Sequence, residues 1–141
     1  MTRHSKLTVI LAVQLAIVAL VLGVMIFRPG DWTTARWIGL CIAVPAAVLF
    51  AVARYQLGAS FSVTAQAREL VTTGIYSRIR NPIYVFGSVF ILGVVISLQV
   101  SAAWVLLAII PVQVIRARKE AKVLEETFGD AYREYRAKTW F

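Results

Sequence analysis

The chain has one cysteine and one histidine, and the lack of a second of either removes a class of chemistry. A lone thiol cannot close an intramolecular disulfide, and Cys41 lies inside an apolar stretch, where a small buried hydrophobe is its ordinary use. His4 stands in the N-terminal tail with no His/Cys partners, so no protein-built metal site is expected. Acids are also scarce: 7 Asp and Glu face 15 Lys and Arg, for a net charge of +8. There is no internal repeat and no low-complexity segment, which excludes a solenoid or a disordered linker as the basis of the fold. Difficult chemistry therefore has to come from a bound cofactor or from positioned charges.

What the chain does have is apolar sequence. Hydrophobic residues make up 60% of it, and the mean hydropathy of +0.75 is too high for an ordinary soluble domain of this size. A pI near 10.3 raises nucleic acid as a partner. The basic residues, however, cluster beside apolar spans, the pattern of the positive-inside rule and of attraction to anionic headgroups. Membrane lipids are the expected partner, and nucleic acid is not.

Leu7 to Phe27 carries no charge over about 31 Å of helix, enough to cross a bilayer core and longer than a signal-peptide core. Phe27-Arg28-Pro29-Gly30-Asp31-Trp32 ends it in a turn, with Trp32 and Trp37 suited to the interface. Ala35 to Ala53 forms a second span, with Pro45 inside it, Arg36 expected to snorkel at one end and Arg54 marking the exit. From Ile83 to Ile115 there is again no charge; a straight helix of that length would measure about 50 Å, so it is expected to fold back at Ser97–Ser101. From Gln113 onward Val114, Ala117, Ala121, Leu124 and Phe128 recur at helical spacing and share one face. Gly129 fits a helix stop and Asp130 the N-cap of a short last helix through Tyr132 and Tyr135; Trp140 and Phe141 are expected to anchor the chain at the interface.

The expectation is an all-α polytopic membrane protein, a single membrane domain over 1–141, with about four transmembrane helices plus amphipathic C-terminal helices. Residues 1–54 supply two transmembrane helices, 55–82 a connector, 83–115 a hairpin whose arms form the last two spans, and 116–141 the C-terminal helices. Thirteen of the 15 Lys and Arg fall in the N-tail, the connector and the C-terminal helices; only Arg28 and Arg36 flank the first outer loop. That bias puts both termini and the connector in the cytoplasm, in what is expected to be a bacterial inner membrane.

The connector ends in Leu70–Gly87, LVTTGIYSRIRNPIYVFG, far more elaborate than a link between spans requires. Gly74 supplies a turn conformation, Ser62 and Thr64 are candidate caps, and Pro82 biases Asn81 away from the helical region. Irregular backbone at a membrane boundary persists where it is buried or lines a solvated cavity, so this stretch is expected to wall a binding pocket. Arg116 and Glu120 are spaced i, i+4 on one helix face. Their ordinary use is a surface ion pair worth a few tenths of a kcal/mol, as Glu125 and Glu126 with Lys122 are an ordinary solvated face. Yet Arg116 is the first charge after the long apolar run, where a carboxylate arriving from lipid would meet its guanidinium. Tyr76 and Tyr84 are boundary aromatics whose faces attract cations.

Two blocks, LVTTGIYSRIRNPIY at Leu70–Tyr84 and R-x-x-x-E-x-x-x-L-x-x-x-F-G-x-x-Y-x-x-Y from Arg116 to Tyr135, make the C-terminal half resemble the isoprenylcysteine carboxyl methyltransferase and phospholipid methyltransferase superfamily. GASFSVTAQAREL upstream is similar to bacterial members. The resemblance implies S-adenosyl-L-methionine as cofactor and a lipophilic small-molecule or lipidated substrate entering from the bilayer. It implies that Arg68, Glu69, Leu70, Val71, Tyr76, Asn81, Pro82, Ile83, Tyr84 and Glu120 hold the donor, and that Arg116 is catalytic, orienting a carboxylate acceptor. The chain departs from the family pattern at Asn81, where His is frequent, at Ala121, where a second Glu is usual, and at Gly87, one residue later after the motif tyrosine than is common. A phospholipid or amine N-methyltransferase of the same fold, a sterol-reductase-type enzyme sharing part of this architecture, and a non-enzymatic membrane scaffold are the alternatives.

Overall fold

The structure, a computed structural model, describes residues 3–58, 70–99, 101 and 103–141. Its elements are α1 (Arg3–Phe27), α2 (Thr34–Leu57), a 3-10 turn (Gly74–Ser77), α3 (Pro82–Leu98), α4 (Ala103–Phe128) and α5 (Asp130–Lys138). Among the described residues the only β pairing is one isolated parallel bridge, Ile79 with Trp140. Among the described residues two helices, Thr8–Phe27 and Thr34–Leu57, are long and apolar enough to cross a membrane; α3, at 17 residues, spans about 25 Å.

α1 is apolar on all sides, and Val9, Val13, Ile17, Leu20 and Val24 are exposed along it, as expected of a helix whose solvent is lipid. Its C-terminus is closed by Arg36, which corrects the snorkelling expectation. The side chain is 1% exposed. Its Nε donates to Met25 O at 3.1 Å, its Nη2 to Ile26 O at 2.8 Å and Arg28 O at 2.9 Å, and its Nη1 to Gly30 O at 3.2 Å. The indole of Trp32 lies 4.1 Å below the guanidinium. The reason is that the last carbonyls of a helix lack intrahelical donors, and in apolar surroundings a planar five-donor fork satisfies several at once. Arg28 does the same for another helix, donating to Ser97 O at 2.8 Å near the end of α3. Both arginines flanking the α1–α2 turn thus cap helix ends.

α2 and α3 form the tightest pair, because small residues let their backbones meet. A Cβ on Gly39 would collide with Ser97 and the Gly93 carbonyl, and one on Gly93 would come within 2.7 Å of Ala43 N and Gly39 O. Met25, Leu40 and Ala43 make the buried cluster at this end, with Val21, Leu22, Phe90, Val94 and Leu98 against it. α2 continues past the expected exit at Arg54 to Leu57, and Arg54 is itself buried. Ser62 and Thr64 lie outside the described residues.

The expected fold-back is where the structure turns: α3 ends at Leu98, and Gln99 takes a left-handed conformation, φ 52° and ψ 32°. α4 then runs unbroken through Pro111 and across Ile115–Arg116. Gly129, at φ 53°, ends α4 and occupies the cap position of α5; Asp130 is the first helical residue, not the N-cap. Its carboxylate instead binds Arg133 at 2.8 Å. Glu125 pairs with Arg133 at 3.0 Å rather than with Lys122, which reaches only Glu126 at 3.9 Å. All these pairs are exposed and contribute little to stability.

Candidate active site

The end of the molecule opposite Arg28 and Arg36 gathers the last turn of α2, the 3-10 turn, the start of α3, the charged half of α4, and α5. The 3-10 turn is held by three side-chain hydrogen bonds, two to α2 and one from α5. The Gln56 side chain, from α2, accepts from Ile75 N at 2.8 Å and packs against Gly74, whose φ of 61° favours glycine. Tyr76 is 5% exposed and its hydroxyl donates to Ala53 O at 3.3 Å. From α5, the Tyr135 hydroxyl donates to Tyr76 O at 2.7 Å.

The chain end completes the clamp. Trp140 N donates to Arg78 O at 2.7 Å, Arg80 N to Trp140 O at 3.0 Å, and Asn81 N to the Phe141 main-chain oxygen at 3.0 Å. Trp140 and Phe141 therefore act through their backbone, pinning the Arg-Asn-Pro step; the Trp140 side chain stays exposed. Pro82 then opens α3 at a position where its missing N–H costs nothing.

One turn into α3, the Tyr84 hydroxyl donates to Glu120 Oε2 at 3.1 Å. The two helices of the hairpin thus bring the two sequence blocks into contact. Among the described residues Glu120 makes no salt bridge, even with Arg116 four residues earlier. Arg116 is exposed, one turn nearer the apolar half of α4, and its charge still reaches Glu120. Burial raises the Glu120 carboxyl above the usual carboxylate range, and the Tyr84 hydrogen bond and the Arg116 charge only partly oppose this. Tyr76 is raised above the usual phenol range by burial first and by the Glu120 charge second. Burial pushes Tyr135 up to about 12. Tyr132 is raised by burial too, against the nearby Arg80 and Arg136 charges. The result is a half-buried carboxylate bonded to an oriented hydroxyl, with the Arg116 guanidinium close to both.

Of the sequence-predicted site residues, Tyr84 and Glu120 meet directly, and Asn81, Pro82 and Ile83 lead into that contact. Tyr76 is within electrostatic reach of Glu120, but its hydroxyl is committed to α2. Leu70 and Val71 are half-buried ahead of the 3-10 turn, and no hydrogen bond ties them to the Tyr84–Glu120 pair. Arg68 and Glu69 lie outside the described residues. Sequence reasoning missed Gln56, which carries no motif, and the main-chain role of Trp140. Tyr135 falls within the second motif, which assigns it no task; a buried tyrosine's need for a hydroxyl partner is the available signal.

A family model described as phospholipid methyltransferase matches residues 7–131. Among solved structures, the chain is similar to the eukaryotic intramembrane Ras methyltransferase, isoprenylcysteine carboxyl methyltransferase, with 23% identity and a TM-score of 0.56. The similarity covers 99% of this chain and 52% of that one, so this chain spans about half the length of the protein it matches. At that identity the likeness is one of fold, an all-α membrane architecture. No curated protein matches the chain.

Proposed function

The chain belongs to the phospholipid methyltransferase family, within a superfamily of integral-membrane methyltransferases, and from that premise we propose that it transfers a methyl group from S-adenosylmethionine to a lipophilic carboxylate. The observation that carries this reading is the 3.1 Å contact between Tyr84 and Glu120 at the membrane boundary, with Arg116 one turn away. Glu120 suits the donor's α-ammonium: its carboxylate is half-buried, makes no salt bridge among the described residues, and is oriented by Tyr84. When bound, S-adenosylmethionine supplies an electrophilic methyl on a sulfonium. The aromatic faces of Tyr84 and Tyr76 attract such a cation, and Asn81, Pro82 and Ile83, with Arg68, Glu69, Leu70 and Val71, complete the donor wall in this reading.

Arg116 takes the acceptor. Its guanidinium is exposed and free of a salt bridge among the described residues, so it can hold a carboxylate arriving from lipid and turn the attacking oxygen toward the donor. Holding both partners in near-attack geometry can take about 7–11 kcal/mol off a bimolecular barrier, so positioning by these residues is the main device. The basic ends, with both termini and the connector, face the cytoplasm of a bacterial inner membrane.

The description of the matching family favours a second reading, in which the acceptor is a phospholipid amine and Arg116 holds the neighbouring phosphate. Membranes containing the chain, incubated with methyl-labelled S-adenosylmethionine, are expected to label a lipid fraction. A base-labile methyl ester supports the carboxylate, and a base-stable methylamine supports the amine. No label above control membranes, together with no binding of S-adenosylhomocysteine by purified protein, overturns the methyltransferase reading.

A further inference from the structure

Below the Tyr84–Glu120 contact, the face of α4 that reaches it carries one more polar side chain, Gln113. Seven residues separate Gln113 from Glu120, which on a 3.6-residue helix returns to within about 20° of the same direction and sets the two about 10 Å apart along the axis. Ala117, between them, is 4% exposed, so this face is covered rather than open to lipid. Gln113 is half-buried, and its side-chain oxygen is enclosed with no hydrogen-bond partner among the described residues. An enclosed, unpaired amide oxygen is costly in an apolar region, and native structures keep few without a use. Across the seam, Ser88 stands four residues on from Tyr84, half-buried on the same face of the largely apolar α3. Leu107, Ile110 and Ile115, elsewhere on α4, are exposed hydrophobics. Gln14 has a similarly enclosed oxygen, but it sits on α1, which carries no residue of the site.

The α3–α4 seam is thus polar along one line, from Glu120 into the apolar half of the hairpin. An acceptor whose reacting end lies level with Glu120, with its chain laid along this seam past Arg116, brings atoms about eight bonds from that end level with Gln113. We propose that Gln113 is an acceptor-binding residue that accepts a hydrogen bond from a hydroxyl or amide N–H at that depth. The acceptor is then a lipid whose linkage region carries O–H or N–H, not one whose hydrocarbon begins at the head group. This rests on the methyltransferase reading above and narrows its substrate class.

The test uses the full chain in detergent, labelled S-adenosylmethionine and two matched pairs of acceptors. One pair is 9-hydroxystearic acid and stearic acid; the other is 1-acyl lysophosphatidylethanolamine and its 2-deoxy analogue. For whichever head group is methylated, the hydroxylated member is expected to show a KM about tenfold lower, the worth of one hydrogen bond. Gln113→Leu is expected to erase that preference while S-adenosylhomocysteine affinity stays unchanged, which also shows that the variant is folded. Equal KM values within the pair in the wild type, a preference retained in Gln113→Leu, or no methylation of either pair by a chain that binds S-adenosylhomocysteine each overturn the inference. A wild-type chain that does not bind S-adenosylhomocysteine sinks the underlying methyltransferase reading instead.

Discussion

The hydroxyl of Tyr84 reaches Glu120 Oε2 at 3.1 Å across 36 residues of chain, and the α3–α4 hairpin is the element that closes that distance. If Glu120 holds the donor's ammonium, Glu120→Gln removes a charge-assisted bond and weakens S-adenosylhomocysteine binding by about 10- to 100-fold. Tyr84→Phe, which frees the carboxylate to turn but keeps its charge, costs about 2- to 10-fold. Titration calorimetry on detergent-purified protein orders the two; equal effects, or none, remove Glu120 from the donor site.

The acid limb of donor binding follows from the burial of Glu120. Its folded pKa lies above the ordinary carboxylate value, so the charged form that binds an ammonium is lost as pH falls through that raised value. Donor affinity should therefore decline at a pH higher than an exposed carboxylate would give, and Glu120→Gln should flatten the limb. For folding the sign is opposite. A carboxyl raised in the folded state contributes stability below the ordinary carboxylate range and loses it as pH rises through the raised value. S-adenosylhomocysteine affinity followed from acid to neutral pH, in the wild type beside Glu120→Gln, reads the first effect.

Arg116 is assigned to the acceptor alone. Arg116→Ala should lower the acceptor's kcat/KM by about 100-fold while S-adenosylhomocysteine affinity changes by less than about threefold. A variant that loses donor binding but turns over normally at saturating donor would reverse the assignment of the two charges.

Tyr135 acts on the site through the backbone of Tyr76. Tyr135→Phe removes the 2.7 Å bond to a buried carbonyl and leaves that oxygen unpaired, a cost of about 1–3 kcal/mol. Thermal unfolding in detergent should fall, and donor affinity should fall with it, because the 3-10 turn loses its tie to α5. Unchanged donor affinity in a destabilised variant would mean that the turn is held by Gln56 and Ala53 alone.

Gly93 tests the scaffold rather than the chemistry. A side chain there meets Ala43 N and Gly39 O at 2.7 Å, backbone atoms that cannot rotate away. Gly93→Leu should destabilise the fold by about 1–3 kcal/mol or more through forced separation of α2 and α3. Gly23→Leu, a site with nothing within 4 Å, is its control. Equal stability of the two variants in a thermal melt would show that α2 and α3 do not depend on this close approach.

The sequence by itself determined the elements that depend on local chemistry. Uncharged runs set the apolar helices, Gly129 set the break before the last helix, and the polar Ser97–Ser101 step set the hairpin, because helix length, capping and turn formation are decided within a few residues. Register alone put Arg116 and Glu120 on one face. Only the tertiary structure decided how the few polar groups are used. Whether Arg36 snorkels or caps depends on where the carbonyls of α1 end up. Whether Glu120 pairs with Arg116, its helix neighbour, or with Tyr84, 36 residues away, depends on how α3 lies against α4. In apolar surroundings each polar group takes the partner that packing brings within reach, and packing is a property of the whole chain.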